Sequence, residues 1–179
     1  MKTSAEADFR EYVTGRWPRM LRTAYLLTGN HHDAEDLVQA ALAKAYTRWE
    51  RVQRADDPDA YVWRIMINSN VDRLRGLRVR EWPTTRFPDS QAADRTDQVV
   101  DRSLLLEALG RLPARQRAVV VLRFLEDRSE SEVAKVLGTR VGTVRSHTAR
   151  ALAKLRRDGA VLGLGDGRTP APSGAGARR

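Results

Sequence analysis

Apolar residues recur at helical spacing along most of this 179-residue chain, and that periodicity restricts the fold more than any other feature. Between Asp33 and Glu50 they follow the i, i+4, i+7, i+8, i+11 series of an amphipathic helix, formed by Val38, Leu42, Ala45, Tyr46 and Trp49. Stretches that alternate apolar and polar residues, as strands do, are nearly absent. The sequence therefore predicts an all-α fold.

Short-range signals predict where several helices begin. Asn30 is a capping residue for the helix that comes after it, and Asp57 precedes a proline at a first helical position. Ser129 and Glu132 have the spacing of a capping box, in which each side chain bonds the backbone N–H of the other. These signals divide most of the chain into separate helices.

Other boundaries are predicted from glycine and proline. Gly15 and Gly29 are expected to divide the N-terminal part into two shorter helices, over residues 9–12 and 17–27. Pro113 is expected to open a helix that continues through Phe124.

Positive charge is concentrated in two blocks. Residues 61–88 carry a net charge of +4 and residues 111–157 a net charge of +8, whereas residues 89–110 carry −3. Pro83, Pro88 and a polar run lie between the blocks. We therefore predict a helical domain at 1–84, a flexible linker at 85–100, a second helical domain at 101–157 and a disordered tail at 158–179. Two basic surfaces favour a protein that contacts one polyanion at two places. The alternative is that the two basic blocks are ordinary helix faces exposed to solvent.

Several classes of protein are excluded. The chain has no cysteine, which rules out disulfides, cysteine-bound metals and a thiol nucleophile. No apolar run reaches the ~18 residues of a membrane span, and the N-terminus does not lead into an apolar stretch as a secretory signal does, so we expect a cytoplasmic protein. Neither a phosphate-binding loop nor an H-E-x-x-H motif is present. His31, His32 and Asp33 are better explained as a helix-entry turn than as metal ligands. From these absences together we expect no metal, no cofactor, no small-molecule substrate and no enzymatic activity.

The segment from Glu130 to Ala149 has the spacing of a helix-turn-helix. Ala134 allows the two helices to approach, Gly138 suits the turn, and Val144 secures the second helix. The alternative is an ordinary helical hairpin with a basic exterior. A basic second helix fits the major groove, where arginine pairs with guanine. The candidate DNA-binding residues here are Arg140, Thr143, Arg145, Ser146, His147, Arg150 and Lys154.

Taken together, several motifs occur in the order of a known family. The chain resembles bacterial extracytoplasmic-function sigma factors, group 4 of the sigma-70 family, and is similar to their actinobacterial SigE-like subfamily. The motifs are Asp33–Gln39 for region 2.2, Asp59–Asn68 for region 2.3, Asp72–Arg75 for region 2.4, and Leu112–Val119 with Val141–Leu155 for region 4.

One position departs from the family, because Arg140 stands where relatives usually have serine or threonine. The helix cap then shifts to Thr139, or Arg140 contacts a phosphate.

The resemblance implies a subunit that binds core RNA polymerase, recognises −10 and −35 promoter elements, melts DNA and starts transcription. The predicted helix between Asp33 and Glu50 would dock on the β′ clamp helices, and region 4 would bind the β flap. The docking residues would be Asp33, Asp36, Leu37, Gln39 and Leu42. An anti-sigma protein is a further partner that the resemblance allows for. The alternatives are a stand-alone helix-turn-helix regulator that does not dock on polymerase, and a nucleic-acid-processing enzyme.

DNA melting needs contacts that exist only with a separated strand. Aromatic rings and arginines supply them, at roughly 1–3 kcal/mol per stacked base. The candidate −10 and melting residues are Tyr61, Trp63, Arg64, Asn68, Arg73, Arg75 and Arg78, with the 51–58 loop as a pocket for a flipped base. For Tyr61 and Trp63, packing in the core is an equal alternative, and Asn68 has the alternative of a helix-surface amide.

Overall fold

The computed structural model describes the backbone of residues 2–80 and 97–157, and the side chains of residues 4–76 and 103–157. Most of the predicted linker and the whole 158–179 tail lie outside the described residues. The described part is helical, without strands, as predicted. Its elements are α1 (Lys2–Thr28), α2 (His31–Tyr46), α3 (Trp49–Gln53), α4 (Pro58–Arg80), α5 (Asp97–Gly110), α6 (Ala114–Val120), a π-helical turn (Val121–Leu125), α7 (Glu130–Leu137) and α8 (Val141–Arg157).

Helix α1 is continuous, so the predicted break at Gly15 is wrong. It also contains Pro18, which cannot donate a backbone hydrogen bond. A glycine inside a helix costs only about 1 kcal/mol relative to alanine, and burial of one helix face opposes that cost. Met20, Ala24 and Leu27 are almost completely buried along that face. Tertiary packing therefore maintains a helix that local propensity would interrupt.

The predicted caps are present. The side chain of Asn30 accepts from the backbone N–H of Asp33 at 2.8 Å, and that of Asp57 accepts from Ala60 at 2.9 Å. In the capping box, Ser129 Oγ accepts from the Glu132 N–H at 3.2 Å, while Glu132 Oε2 accepts from the Ser129 N–H at 2.7 Å. These local bonds satisfy N–H groups that a helix leaves unpaired at its start.

The first half of the chain packs α1 against α2, and α2 against α4. An aromatic cluster closes one end, where the Trp49 ring lies 5.0 Å from the Phe9 ring and 5.1 Å from the Tyr12 ring, centroid to centroid. Arg16 Nε donates to Asp59 Oδ1 at 2.5 Å and so ties α1 to the first turn of α4. Contacts with α1 and α2 therefore fix the position of α4 in this half.

The second half is built around α8, which packs on α6 and α7. Helix α6 does not continue through Phe124 as a regular helix, because the chain widens into the π turn, where the Glu126 N–H bonds the Val121 carbonyl at 2.9 Å. A π turn adds one residue to a helical turn and so changes the direction in which the next residues point. Glu126 ends this turn and has its side chain buried.

The two halves are in contact and share one apolar core. The buried Glu126 carboxylate of the second half accepts hydrogen bonds from Thr23 Oγ1 at 2.5 Å and Arg19 Nε at 2.7 Å, both on α1. In the other direction, the buried guanidinium of Arg117 donates to the Leu27 carbonyl at 2.6 Å. Burial lowers the pKa of Arg117 to about 10, with the nearby charge of Arg73 as a smaller cause.

We predict that Glu126→Ala destabilises the protein by about 2–3 kcal/mol, because the buried hydroxyl of Thr23 and the partly exposed guanidinium of Arg19 lose a charged acceptor. Urea denaturation followed by circular dichroism measures the free energy of unfolding. The matched control is Glu107→Ala, which removes an exposed carboxylate paired with Arg111 and should cost less than about 1 kcal/mol. Equal losses in the two variants would contradict the importance given to Glu126.

Candidate nucleic-acid interface

One side of α8 is buried and the opposite side is exposed and basic. Val144, Ala151 and Leu155 are at most 3% exposed and anchor the helix to the domain. Of the residues predicted to bind the −35 element, the structure leaves some exposed and others half-buried. Exposed are Arg140, Arg145, Ser146 and Arg150, and half-buried are Thr143, His147 and Lys154. The helix therefore presents several of the predicted side chains together.

The turn before α8 has the conformation that the sequence predicts. Gly138 ends α7 with φ of 60°, a left-handed conformation that favours glycine. The carbonyl of Arg140 accepts from the N–H groups of Thr143 and Val144, so Arg140 is the capping residue directly before α8. Thr139 instead donates its backbone N–H to the Ala134 carbonyl at 3.0 Å.

Two basic side chains of α8 contact neighbouring elements. Arg145 Nε donates to Glu130 Oε2 at 2.8 Å, across the gap between α8 and α7. Lys154 Nζ donates to the carbonyl of Arg111 at 2.6 Å, just after α5. His147 lies deeper, and its pKa is below the ordinary value because of burial and then the charges of Arg150 and Arg115. The ring is therefore held more firmly in its neutral form than a free histidine is.

Along α4 the predicted residues fall into three groups. Arg64 and Arg75 are exposed, whereas Tyr61, Asn68 and Arg73 are half-buried. Trp63 is only 5% exposed, so the structure favours the core-packing alternative for this ring. The side chain of Arg78 lies outside the described side chains.

The α4 helix touches the helix-turn-helix. A Cβ atom added at Gly138 would lie 2.4 Å from a terminal nitrogen of Arg64. A residue with any side chain at 138 would therefore have to displace the guanidinium, besides adopting a strained backbone. The absence of a side chain at 138 thus serves both the turn and the contact between the two halves.

A groove of about 1000 Å³ lies beside Tyr61, between the start of α1, the end of α2 and α3. Three arginines and two glutamates, Glu6 and Glu50, line it together with aromatic rings, and Tyr46 is 46% exposed. Its lining includes Tyr46, Arg48, Trp49, Arg51, Arg54 and Tyr61. The sequence predicts Arg51 and Arg54 in a pocket loop, but the prediction did not include Tyr46, Arg48 or Trp49. The signal available was the run of aromatic and basic residues just before that loop.

The residues predicted to dock on polymerase do not all reach the surface. Asp36 and Gln39 are exposed on α2, but Leu37 and Leu42 are buried, at 3% and 7% exposure. The two leucines therefore pack the core in this structure and are not available as surface contacts. Asp33 is half-buried and pairs with Arg73 Nη1 at 2.9 Å. Although burial acts to raise its pKa, hydrogen bonds from Asn30 and Arg73 bring the pKa below the usual value.

Comparison with known proteins agrees with this geometry. A family model described as sigma-70 region 2 matches residues 16–80, and one described as sigma-70, region 4 matches residues 102–155. The RNA polymerase sigma-E factor of Streptomyces coelicolor is 44% identical over 84% of this chain and 85% of its own length. The chain belongs to the extracytoplasmic-function sigma factors of the sigma-70 family. It is therefore a sigma factor that binds core RNA polymerase and directs it to promoters.

More distant relatives and solved structures support the same assignment. The sigma factor SigM of Mycobacterium tuberculosis is 36% identical over 76% of this chain and 69% of its own length. The sigma factor RpoE in complex with the anti-sigma factor NepR from Bartonella quintana superposes with a TM-score of 0.65, at 25% identity, over 87% of this chain and 98% of that one. CnrH in complex with the cytosolic domain of CnrY gives 0.61, at 25% identity, over 85% and 87%.

Sigma factors are non-enzymatic DNA-recognition proteins, which agrees with the expectation from sequence. None of the described helices combines the length and the apolar character that crossing a membrane requires.

Proposed function

We propose that this sigma factor reads duplex −35 DNA with α8 and holds the separated −10 strand with α4 and the adjoining groove. The observation that carries the first part is the two-sided character of α8. Its buried side is fixed by Val144, Ala151 and Leu155, so the exposed arginines are displayed from a rigid support. Arginine forms bidentate hydrogen bonds with O6 and N7 of guanine in the major groove.

The second part rests on the groove beside Tyr61. Unstacking a base costs a few kcal/mol, and this cost has to be offset by contacts that the duplex does not offer. An exposed ring, Tyr46, and the half-buried ring of Tyr61 line the groove with three arginines, Arg48, Arg51 and Arg54. Aromatic stacking surfaces with arginines beside them are suited to binding single-stranded nucleic acid.

Contacts with polymerase are assigned to the exposed side of α2. Asp36 and Gln39 are the predicted residues that reach the surface there, and we propose that they face the β′ clamp helices, while the second half of the chain binds the β flap. Because bacterial RNA polymerase is cytoplasmic, we infer that this protein acts in the cytoplasm. One solved structure similar to this chain is bound to the anti-sigma factor NepR and another to the cytosolic domain of CnrY, which supports an anti-sigma protein as a partner of this chain as well.

The domain boundaries are proposed on the same grounds. The region 2 match ends at residue 80 and the region 4 match begins at residue 102, which supports a first domain at 1–84 and a second at 101–157. The presence of both regions disfavours the stand-alone regulator, since such a protein has no use for a polymerase-docking region.

We predict that Arg145→Ala in the holoenzyme weakens binding to a −35-containing duplex about tenfold, because a bidentate base contact is lost. Binding to core polymerase should stay unchanged. The matched control is Arg156→Ala on the same helix, which is expected to weaken specific and scrambled duplexes alike by removing a phosphate contact. Fluorescence anisotropy on both duplexes measures the difference. Loss of polymerase binding in Arg145→Ala would show that α8 has been given the wrong role.

We predict that Tyr61→Leu slows promoter opening about tenfold while the closed complex still forms, because one stacking surface is lost. Tyr61→Phe keeps the ring and should open at nearly the wild-type rate. Permanganate reactivity of unpaired thymines, measured over time, reports opening. Wild-type reactivity in Tyr61→Leu would rule out a stacking role for this ring.

A further inference from the structure

The Arg145 side chain is held by a carboxylate from the neighbouring helix. Its Nε donates to Glu130 Oε2 at 2.8 Å, and the arginine side chain remains 69% exposed while that of Glu130 is 31% exposed. The contact joins the first turn of α7 to α8, which are the two helices of the helix-turn-helix. It therefore connects a candidate base-reading side chain to the rigid part of the domain.

The nitrogen through which Arg145 bonds Glu130 decides which of its N–H groups are left for DNA. A guanidinium has five N–H groups in a fixed planar arrangement, and the Glu130 contact uses the one on Nε. The N–H groups on the two terminal nitrogens are left for a bidentate contact with guanine. Arginine has a long, flexible side chain with high conformational entropy, so a side chain already restrained before binding loses less of that entropy.

Glu130 is itself well placed. It is the first residue of α7, directly after the capping residue Ser129, and a negative charge in a first turn is favoured by the helix dipole. The neighbouring carboxylate, Glu132, is occupied by the capping box and lies 3.6 Å from Arg128. Of these two carboxylates, Glu130 is the one that bonds Arg145.

We propose that Glu130 is a positioning residue that orients Arg145 for base reading and thereby sets the selectivity of α8. The proposal rests on the proposed reading of the −35 element by Arg145. It has a second consequence, because a carboxylate next to α8 repels the DNA phosphates. Removing Glu130 should therefore lower selectivity and, at the same time, raise affinity for unrelated DNA. General unfolding cannot produce this combination, because it does not raise affinity for DNA.

The test compares holoenzymes containing the wild-type chain, Glu130→Ala, Glu130→Gln, Arg145→Ala and Glu107→Ala. The probe is a duplex selected by the wild-type holoenzyme from a randomised −35 library, with each guanine replaced in turn by 7-deazaguanine, which lacks the N7 acceptor. The measured quantity is the ratio of the dissociation constants of the modified and unmodified duplexes. A scrambled duplex reports non-specific affinity.

The wild-type ratio is expected to be about tenfold at the guanine that Arg145 reads. Glu130→Ala should reduce it below about threefold and strengthen binding to the scrambled duplex. Glu130→Gln keeps a side-chain acceptor and should retain an intermediate ratio. Glu107→Ala removes one negative charge elsewhere, where it pairs with Arg111, and should leave the ratio unchanged.

The outcomes separate the two claims. If Arg145→Ala abolishes the ratio and Glu130→Ala leaves it at the wild-type value, the positioning role of Glu130 is overturned and the reading by Arg145 stands. If Arg145→Ala keeps the full ratio, the proposed reading by Arg145 fails, and the positioning role fails with it. A scrambled-duplex affinity that falls in both Glu130 variants also overturns the proposal, because it indicates damage to the fold.

Discussion

A buried carboxylate joins the two halves of this chain, and the arrangement around it depends on that contact. Glu126 has a side chain that is 1% exposed, and it accepts from Thr23 and Arg19 of the opposite half. A buried charge is tolerated only when it is paired and hydrogen-bonded. The π turn delivers Glu126 to that position, and Arg117 makes the reciprocal contact by donating to the Leu27 carbonyl. These hydrogen bonds between the two halves therefore fix how the halves pack around the shared apolar core.

The shared core also explains how two small helical units form stable supports for DNA contacts. A unit of fewer than about 70–80 residues rarely gains more than a few kcal/mol from its own core. Here the apolar faces of both units bury each other in part. The sides of α4 and α8 opposite the core are the ones that we propose for nucleic acid. Arg64 and Gly138 lie where the two halves meet, so the helix proposed to hold the −10 strand touches the turn before the helix proposed to read the −35 element. Selective reading by exposed arginines requires that the helices carrying them be held rigidly, and packing on the shared core supplies that support.

The features that could be predicted from the sequence are those encoded within a few residues. The caps, the left-handed turn at Gly138 and the buried position of Val144 all depend on short spacings, and all are present. The features that could not be predicted depend on distant partners. Nothing near Glu126 in the sequence indicates that its hydrogen-bond donors lie more than 100 positions earlier, on α1. For the same reason the continuity of α1 through Gly15 could not be predicted, since the packing that compensates for glycine comes from elsewhere. In the candidate site, helical periodicity identified basic residues correctly as surface residues on α8, but spacing alone could not separate Trp63 of the core from a stacking ring.

The central claim is that this chain changes where RNA polymerase begins synthesis by touching promoter DNA at two places. The most direct measurement is run-off transcription on genomic templates by core polymerase with and without the purified chain, with the 5′ ends of the transcripts sequenced. We expect a defined set of start sites that occurs only when the chain is present, each preceded by two common sequence elements. Unchanged start sites, together with continued binding of the chain to duplex DNA, would contradict the claim.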